Sequence, residues 1–371
     1  MNVFLRTSFL LTLITVSAAD DLKPMFNGRD LSGWVRTNTP EATWTWKDGM
    51  LICTGKPIGE LRTKKMYQNF IMEVEWRHMV PRGNAGIFVW ADDITSKGVP
   101  FHRGIEVQVL ENAYGNTRGH TTHGDIFPIH GAKMTPINGR GGSRAFPTES
   151  RSNPSPEWNH YRIECRDGNI SLAVNGKVVT RGTKCSPSKG YICLESEGGI
   201  VHYRNVRIQE LPDTAITPEE VAISNRGYRS VYNGLDLSDF KEESTSWKSQ
   251  DWVLSSATQN GQTATLTTNE SADDLGGVVD VKLNRPTSTA SVTFGEIEIN
   301  LSDEAHQQLL GKGWNRLELT RQRGRLVLLI NDKLASEQDD SKNNGSLVLN
   351  AQGAVDFCNL YLRTLPPKNG N

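Results

Sequence analysis

The chain has 371 residues, room for two ordinary domains. Its formal net charge of -1 argues against a polyanion such as nucleic acid as a partner. Thirty-four glycines against 22% charged residues indicate many turns, and helical periodicity is scarce.

The first stretch, MNVFLRTSFLLTLITVSAAD, reads as a secretory signal over residues 1–19. Arg6 supplies the positive start, Ser8–Val16 the short apolar core, and Ser17-Ala18-Ala19 the small residues before a cut. The apolar run is too short to span a bilayer. The mature chain is therefore expected to be exported, periplasmic or secreted, and free of the membrane. The five cysteines, Cys53, Cys165, Cys185, Cys193 and Cys358, show no Cys-x-x-Cys spacing, so a zinc knuckle is not expected. Four sit in strand-like runs, as small buried hydrophobes do, although an exported chain also admits a disulfide among Cys165, Cys185 and Cys193.

Three segments return in the same order. MFNGRDLSGW (Met25–Trp34) recurs as VYNGLDLSDF (Val231–Phe240). Glu157–Val179 recurs as Gly313–Ala335, and Gly190–Leu211 as Gly345–Leu365, one residue shorter. Two copies of one fold follow. Residues 20–211 hold the first copy, 212–227 a linker and 228–365 a smaller, degenerate copy, with a tail at 366–371. In the linker, Thr217-Pro218-Glu219-Glu220 predicts a short capped helix. The second copy lacks about fifty residues between the shared ends, and of the eight histidines it holds only His306. Chemistry is expected in the first copy.

Most remaining runs predict strands. NFIMEVEWRH alternates Phe70, Met72, Val74 and Trp76 against Ile71, Glu73, Glu75 and Arg77. CRDGNI and VNGKVV carry hairpin turns. Many short strands at regular spacing predict an all-β chain of two jelly-roll β-sandwiches. Trp34 and Trp158 recur as Phe240 and Trp314, which marks them as core. Trp90 belongs to the interval missing from the second copy; on alternation it shares a face with Phe88, free to stack on a sugar or to pack in the core.

In GIEVQVLE, Ile105, Val107 and Val109 form an apolar face, and Glu106 and Gln108 the other. A carboxylate beside an amide offers a proton acceptor and an orienting group. Glu111 joins them only through a bulge. The strand runs into Asn112–Pro156, a long aperiodic region of the kind that is functional or disordered. It contains His120, His123, Asp125 and His130, which suit acid–base work, substrate hydrogen bonding or a plain structural role. His120, His123 and Asp125 are also candidate ligands for a divalent metal, although their spacing matches no standard site. No other cofactor is indicated. Arg77, Arg82, Arg140 and Arg144 are candidate forks for substrate oxygens.

The ordered set FNGRDLSGW, WTWKDGMLICTG, FIMEVEWRHMVPRGNAGIFVW, GIEVQVLE, EWNHYRIECRDGNISLAVNGKVV and GYICLESEGGIVHYRNVRIQEL resembles the bacterial 3-keto-disaccharide hydrolase family. That resemblance implies a concanavalin A-like jelly roll acting on glycosides oxidised at sugar C3. It implies elimination of the C1 substituent after a base removes the acidified C2 proton, then hydration. It also implies an upstream sugar 3-oxidoreductase as a functional partner. The family pattern maps onto Asn84, Gly86, Glu106 and Gln108, with Ala85 in place of the usual serine. On this reading Glu106, Gln108, His123 and Asp125 are catalytic candidates. Arg77, Asn84, Trp90, Glu111, His130 and Arg144 are substrate-binding candidates, and His123 and Asp125 close over the Glu106 pocket. The strand Glu106-Val-Gln108-Val-Leu-Glu111 is also similar to that of laminarinase-type glucanases, but Gln108 stands where they carry an ionisable aspartate. A non-catalytic carbohydrate-binding sandwich is the further alternative.

Overall fold

The computed structural model describes residues 21–114, 123–242, 245–258, 261–339 and 341–366. The signal stretch, His120 and residues 367–371 lie outside them. Nearly every element is a strand, and the pairings between strands are antiparallel.

Residues 23–210 form one sandwich, a nine-stranded sheet facing a six-stranded one. Alternation explains the core between them. Met72, Val74 and Trp76 of one sheet meet Ile87, Val107, Val109 and Leu194 of the other, all buried. Residues 229–364 form a second sandwich of eight and four strands around its own core of Leu254, Val279, Val292, Leu317 and Phe357. Asn205 and Asn359 occupy matching places in the repeat, each with a left-handed φ near 50°. The chain between the sandwiches carries one 3-10 turn, Pro218–Glu220. Its Thr217 backbone N–H donates to Glu220 Oε2 at 2.8 Å, as the capping pattern requires.

All five cysteines are free and buried, and no disulfide joins Cys165, Cys185 or Cys193. Trp34 is core. Trp158 is not: its half-buried ring lies between the guanidinium groups of Arg77 and Arg204, at 4.5 and 4.0 Å.

The two sandwiches meet through Asp92–Arg103, the loop joining strands Asn84–Ala91 and Gly104–Leu110. Gly98 N–H donates to Asp280 Oδ2 at 2.9 Å, and Asn359 Nδ2 donates to the carbonyls of Ser96 and Val99 at 2.9 and 3.0 Å. Arg316 donates to Thr95 O at 2.9 Å while its guanidinium holds Asp280 at 2.7 and 2.8 Å. Ile94 packs with Tyr228, Val278 and Tyr361. Gly98 has no room for a side chain, because an added Cβ would lie 2.3 Å from the Trp314 ring. The second sandwich thus braces a loop of the first.

Candidate active site

The six-stranded sheet runs Trp34–Thr37, Gly59–Thr63, Tyr191–Ser196, Asn84–Ala91, Gly104–Leu110, Ile126–Ile129. One face is the core. The other gathers side chains at period two: Glu60 and Arg62, then Tyr191, Cys193 and Glu195, then Asn84, Gly86 and Phe88, then Glu106 and Gln108. Register places Glu60 opposite Glu195, Gly86 opposite Gln108, and Phe88 opposite Glu106.

Gly86 is the floor of the site. A Cβ there would stand 2.9 Å from Glu106 Oε1 and 3.0 Å from Glu195 Oε2. The missing side chain is what lets two carboxyl groups from different strands lean together. Glu197, just past the Tyr191–Ser196 strand, joins them and accepts from Asn84 Nδ2. Gln108 donates to Asn84 Oδ1 at 2.7 Å and Ala85 O at 3.1 Å, fixing the Asn84 amide so that its nitrogen faces Glu197.

Three crowded carboxyls in a low-dielectric place cannot all ionise. Burial, then the charge of Glu197, pushes Glu106 well above the usual carboxylate range, against the pull of Arg144. Burial, then Glu197 and Glu106, does the same to Glu195. Burial raises Glu197 to about 7, although hydrogen bonds from Asn84 and Glu195 hold it down. The site therefore keeps protons on carboxyl groups near neutral pH. Glu106 and Glu195 are buried, whereas Glu197, Asn84 and Arg144 are half-buried and mark the side open to solvent.

Glu106, Gln108, Asn84, Asp125 and Arg144 come together here. Asp125 is wholly buried and holds Arg144 through Oδ2 at 3.1 Å, with the guanidinium 3.3 Å above the Phe127 ring. That pair sets a cation near Glu106. His123 points elsewhere. Its Nε2 lies 3.0 Å from Ser150 Oγ, and it shares a shallow groove of about 260 Å³ with Glu111, Asn112 and Arg140. Its imidazole is pulled below the usual histidine range by burial, against Glu111. His123 and Asp125 thus part toward different partners, and neither joins a cluster of metal-ligating groups among the described residues.

Three further expectations are corrected. Glu111 is not beside Glu106: its carboxylate accepts backbone N–H groups of Arg82, Ala113 and Ser155 at 2.7, 2.7 and 3.2 Å, which makes it a loop anchor. Arg77 belongs to the other sheet, stacked on Trp158, and cannot face this site. Trp90 does not share the face of Phe88. Tyr191 pairs with Ala91 but Cys193 with Phe88, so the strand carries one extra residue there. The bulge, with Trp90 at φ 55°, turns its ring into the core, where Nε1 donates to Gln68 O at 2.9 Å. His130 is exposed and stacks on Phe101 at the far end of the same face.

Sequence reasoning missed Glu60, His102, Cys193, Glu195 and Glu197. A signal was present. CLESE alternates Cys193, Glu195 and Glu197 on one face, and the repeat replaces them with Val348, Asn350 and Gln352.

Residues 21–209, just over half of the chain, match the 3-keto-alpha-glucoside-1,2-lyase-like domain family, and the chain belongs to that family. This places it among carbohydrate-active β-sandwich proteins. Similar solved structures include two from Parabacteroides distasonis, each described as a glycosyl hydrolase. One is 22% identical, with a TM-score of 0.40, covering 52% of this chain and 94% of that one. The other is 24% identical, with a TM-score of 0.39, covering 52% and 100%. A Bacillus licheniformis β-glucanase is 13% identical, with a TM-score of 0.34, covering 53% and 100%. No curated protein matches the chain. Among the described residues, no helix is long and apolar enough to cross a membrane.

Proposed function

We propose that the first sandwich cleaves glycosides oxidised at C3 by elimination and hydration, with Glu106 and Glu197 as the proton-transferring pair. The carrying observation is the convergence of Glu106 and Glu195 over bare Gly86, beside a Glu197 held near 7. A C3 ketone acidifies the C2–H bond. Glu197, partly ionised near neutrality, takes that proton. The electron pair forms the C1=C2 bond as the C1–O bond breaks. Glu106, which holds its proton, gives it to the leaving oxygen. Water then adds back: Glu106, now a carboxylate, removes a proton from water as its oxygen bonds C1, and Glu197 returns a proton to C2. Arg144, and Asn84 fixed by Gln108, are the donors placed for enolate oxygen. Asp125 positions Arg144. Groups with separated proton affinities in one site are what such chemistry needs.

The substrate must come from a reaction that oxidises a sugar C3 hydroxyl, so a sugar 3-oxidoreductase is the functional partner of this reading. The N-terminal signal pattern supports a periplasmic or secreted setting. The test uses purified full-length protein with 3-keto-trehalose and 3-keto-glucosides, following loss of the keto-sugar absorbance. Cleavage is expected with the 3-keto sugars and not with the parent glycosides. Equal turnover of parent glycosides would instead favour an ordinary glycosidase, and binding without turnover a carbohydrate-binding sandwich.

A further inference from the structure

At the far end of the same sheet face lies a second cluster that the proposed chemistry does not use. Glu60 comes from strand Gly59–Thr63, Cys193 from the neighbouring strand Tyr191–Ser196, and His102 from the end of the Asp92–Arg103 loop. All three are buried, and their ligand-capable atoms lie within 4.8 Å of one another. His102 Nδ1 stands 3.8 Å from Cys193 Sγ. Glu60 Oε2 accepts the backbone N–H of His102 at 2.9 Å and also meets its Nδ1.

That arrangement leaves polar atoms stranded. Glu60 Oε1 and His102 Nε2 are buried with no hydrogen-bond partner among the described residues, and so is Oε2 of the adjacent Glu195. Burying a polar atom without a partner is costly, more so when it is charged, so such atoms call for an explanation. The face is also rich in carboxyl groups, with Glu60, Glu195 and Glu106 buried in a row. Arg62, the nearby cation on the same strand, is already engaged, lying over the Tyr191 ring at 4.1 Å and donating to Thr63 O at 2.8 Å. A divalent cation would take up the unpartnered carboxylate oxygen of Glu60.

We propose that Glu60, His102 and Cys193 bind a divalent cation of the zinc class, which pins the Asp92–Arg103 loop to the sheet. One nitrogen, one oxygen and one sulfur ligand suit zinc, with a fourth position for water. Phe88, Ala91 and Tyr191 surround Cys193, with Met66, Phe101 and Ile129 packed on them, the apolar shell that strengthens such a site. On binding, the Cys193 thiol proton is displaced and leaves to solvent. The exposed His130 stacks on Phe101 at the rim of this shell. The second sandwich lacks the whole set. Thr265 and Val348 stand where Glu60 and Cys193 do, and a two-residue turn, Gly295-Glu296, replaces the loop that carries His102. Ligands that vanish together fit one shared task. The task is structural: the loop is held from outside by Asp280 and Arg316, and from inside by the cation.

The experiment needs no activity and stands apart from the glycoside reading. Full-length protein is stripped with a chelator, dialysed, and titrated with Zn²⁺ or Co²⁺. One cation per chain is expected, with a rise in melting temperature. Cobalt should give an intense near-ultraviolet thiolate-to-metal charge-transfer band. Cys193→Ser should abolish that band and weaken zinc more than about 100-fold, beyond the 10–100-fold typical of losing an outer-shell partner. Cys185→Ser should leave both unchanged. Wild-type protein that binds no stoichiometric metal, or a cobalt band that survives Cys193→Ser, overturns the proposal. If Cys193→Ser fails to fold, His102→Gln decides: zinc affinity unchanged in that variant also overturns it.

Discussion

The two sandwiches carry the same sheet address with opposite contents. In the first, Gly86 lies between Gln108 and Glu195, with Glu197 beyond. In the second, Ser291 pairs with Asn300 and Asn350, with Gln352 beyond. Asn350 Nδ2 donates to Ser291 Oγ at 3.2 Å and Asn350 Oδ1 accepts from Thr265 at 2.8 Å, so every neutral group finds a neighbour. Glu298, which occupies the place of Glu106, stands exposed. The fold therefore does not require the carboxyl cluster. The first copy tolerates three crowded acids where the second shows that amides and hydroxyls serve, and that local conflict is the mark of a functional site.

Substitutions can break this comparison. The largest effect is expected from Glu106→Gln. Loss of the proton donor should lower turnover of 3-keto-glycosides by about 10²–10⁴-fold. The loss should shrink sharply for a nitrophenyl leaving group, which departs without a proton. Glu197→Gln should cost as much with either leaving group. Equal losses for Glu106→Gln on both substrates would remove it as the donor.

Next is the brace between the sandwiches. Asp280→Ala strands Arg316, which is half-buried and pairs with no other carboxylate among the described residues, and should cost about 3 kcal/mol by denaturant unfolding. Asp280 also receives Gly98 N–H and Asn359, so faster proteolysis is expected in the Asp92–Arg103 loop. A change below about 1 kcal/mol would mean the loop stands without the second copy.

Gly86→Ala tests the floor directly. The new methyl meets the flexible ends of Glu106 and Glu195, which can give way, so the protein should fold. Activity should fall by about tenfold or more as the carboxyls are driven apart, since small misplacements cost far more than this in catalysis. Full activity would show that their convergence is not used.

The pH dependence is smaller and has a definite sign. Glu197 is raised from the ordinary glutamate value of 4.5 to about 7 on folding. The folded state then binds more protons than the unfolded chain between those values. Its contribution is complete below about pH 4.5 and is lost as pH rises through about 7. Melting temperature should decline across that window, and Glu197→Gln should flatten the decline. The smallest effect should come from Asn350→Glu with Gln352→Glu, which restores the acids to the second copy without a glycine floor or a loop. Glycoside cleavage should not change.

The pattern of residues alone carried much of this. Period-two alternation separated Ile105, Val107 and Val109 from Glu106 and Gln108, because successive strand side chains must point to opposite faces. The repeat announced two sandwiches, because the segments that return are those that build sheets. What lay outside its reach is set by strand order and register. Glu60, Gly86, Glu106 and Glu195 come from four strands scattered over the first copy, and only hydrogen bonding between those strands makes them neighbours. Trp90 was misread for a local reason of the same kind: one bulged residue reversed its face, and bulges are decided by pairing across strands. Proximity in the loop also misled, since His123 and Asp125 are two residues apart yet turn to Ser150 and Arg144. A chain records which side chains share a face of one strand. Which strands lie side by side, and so which charges must share one low-dielectric space, is fixed only when the sheets close over their core.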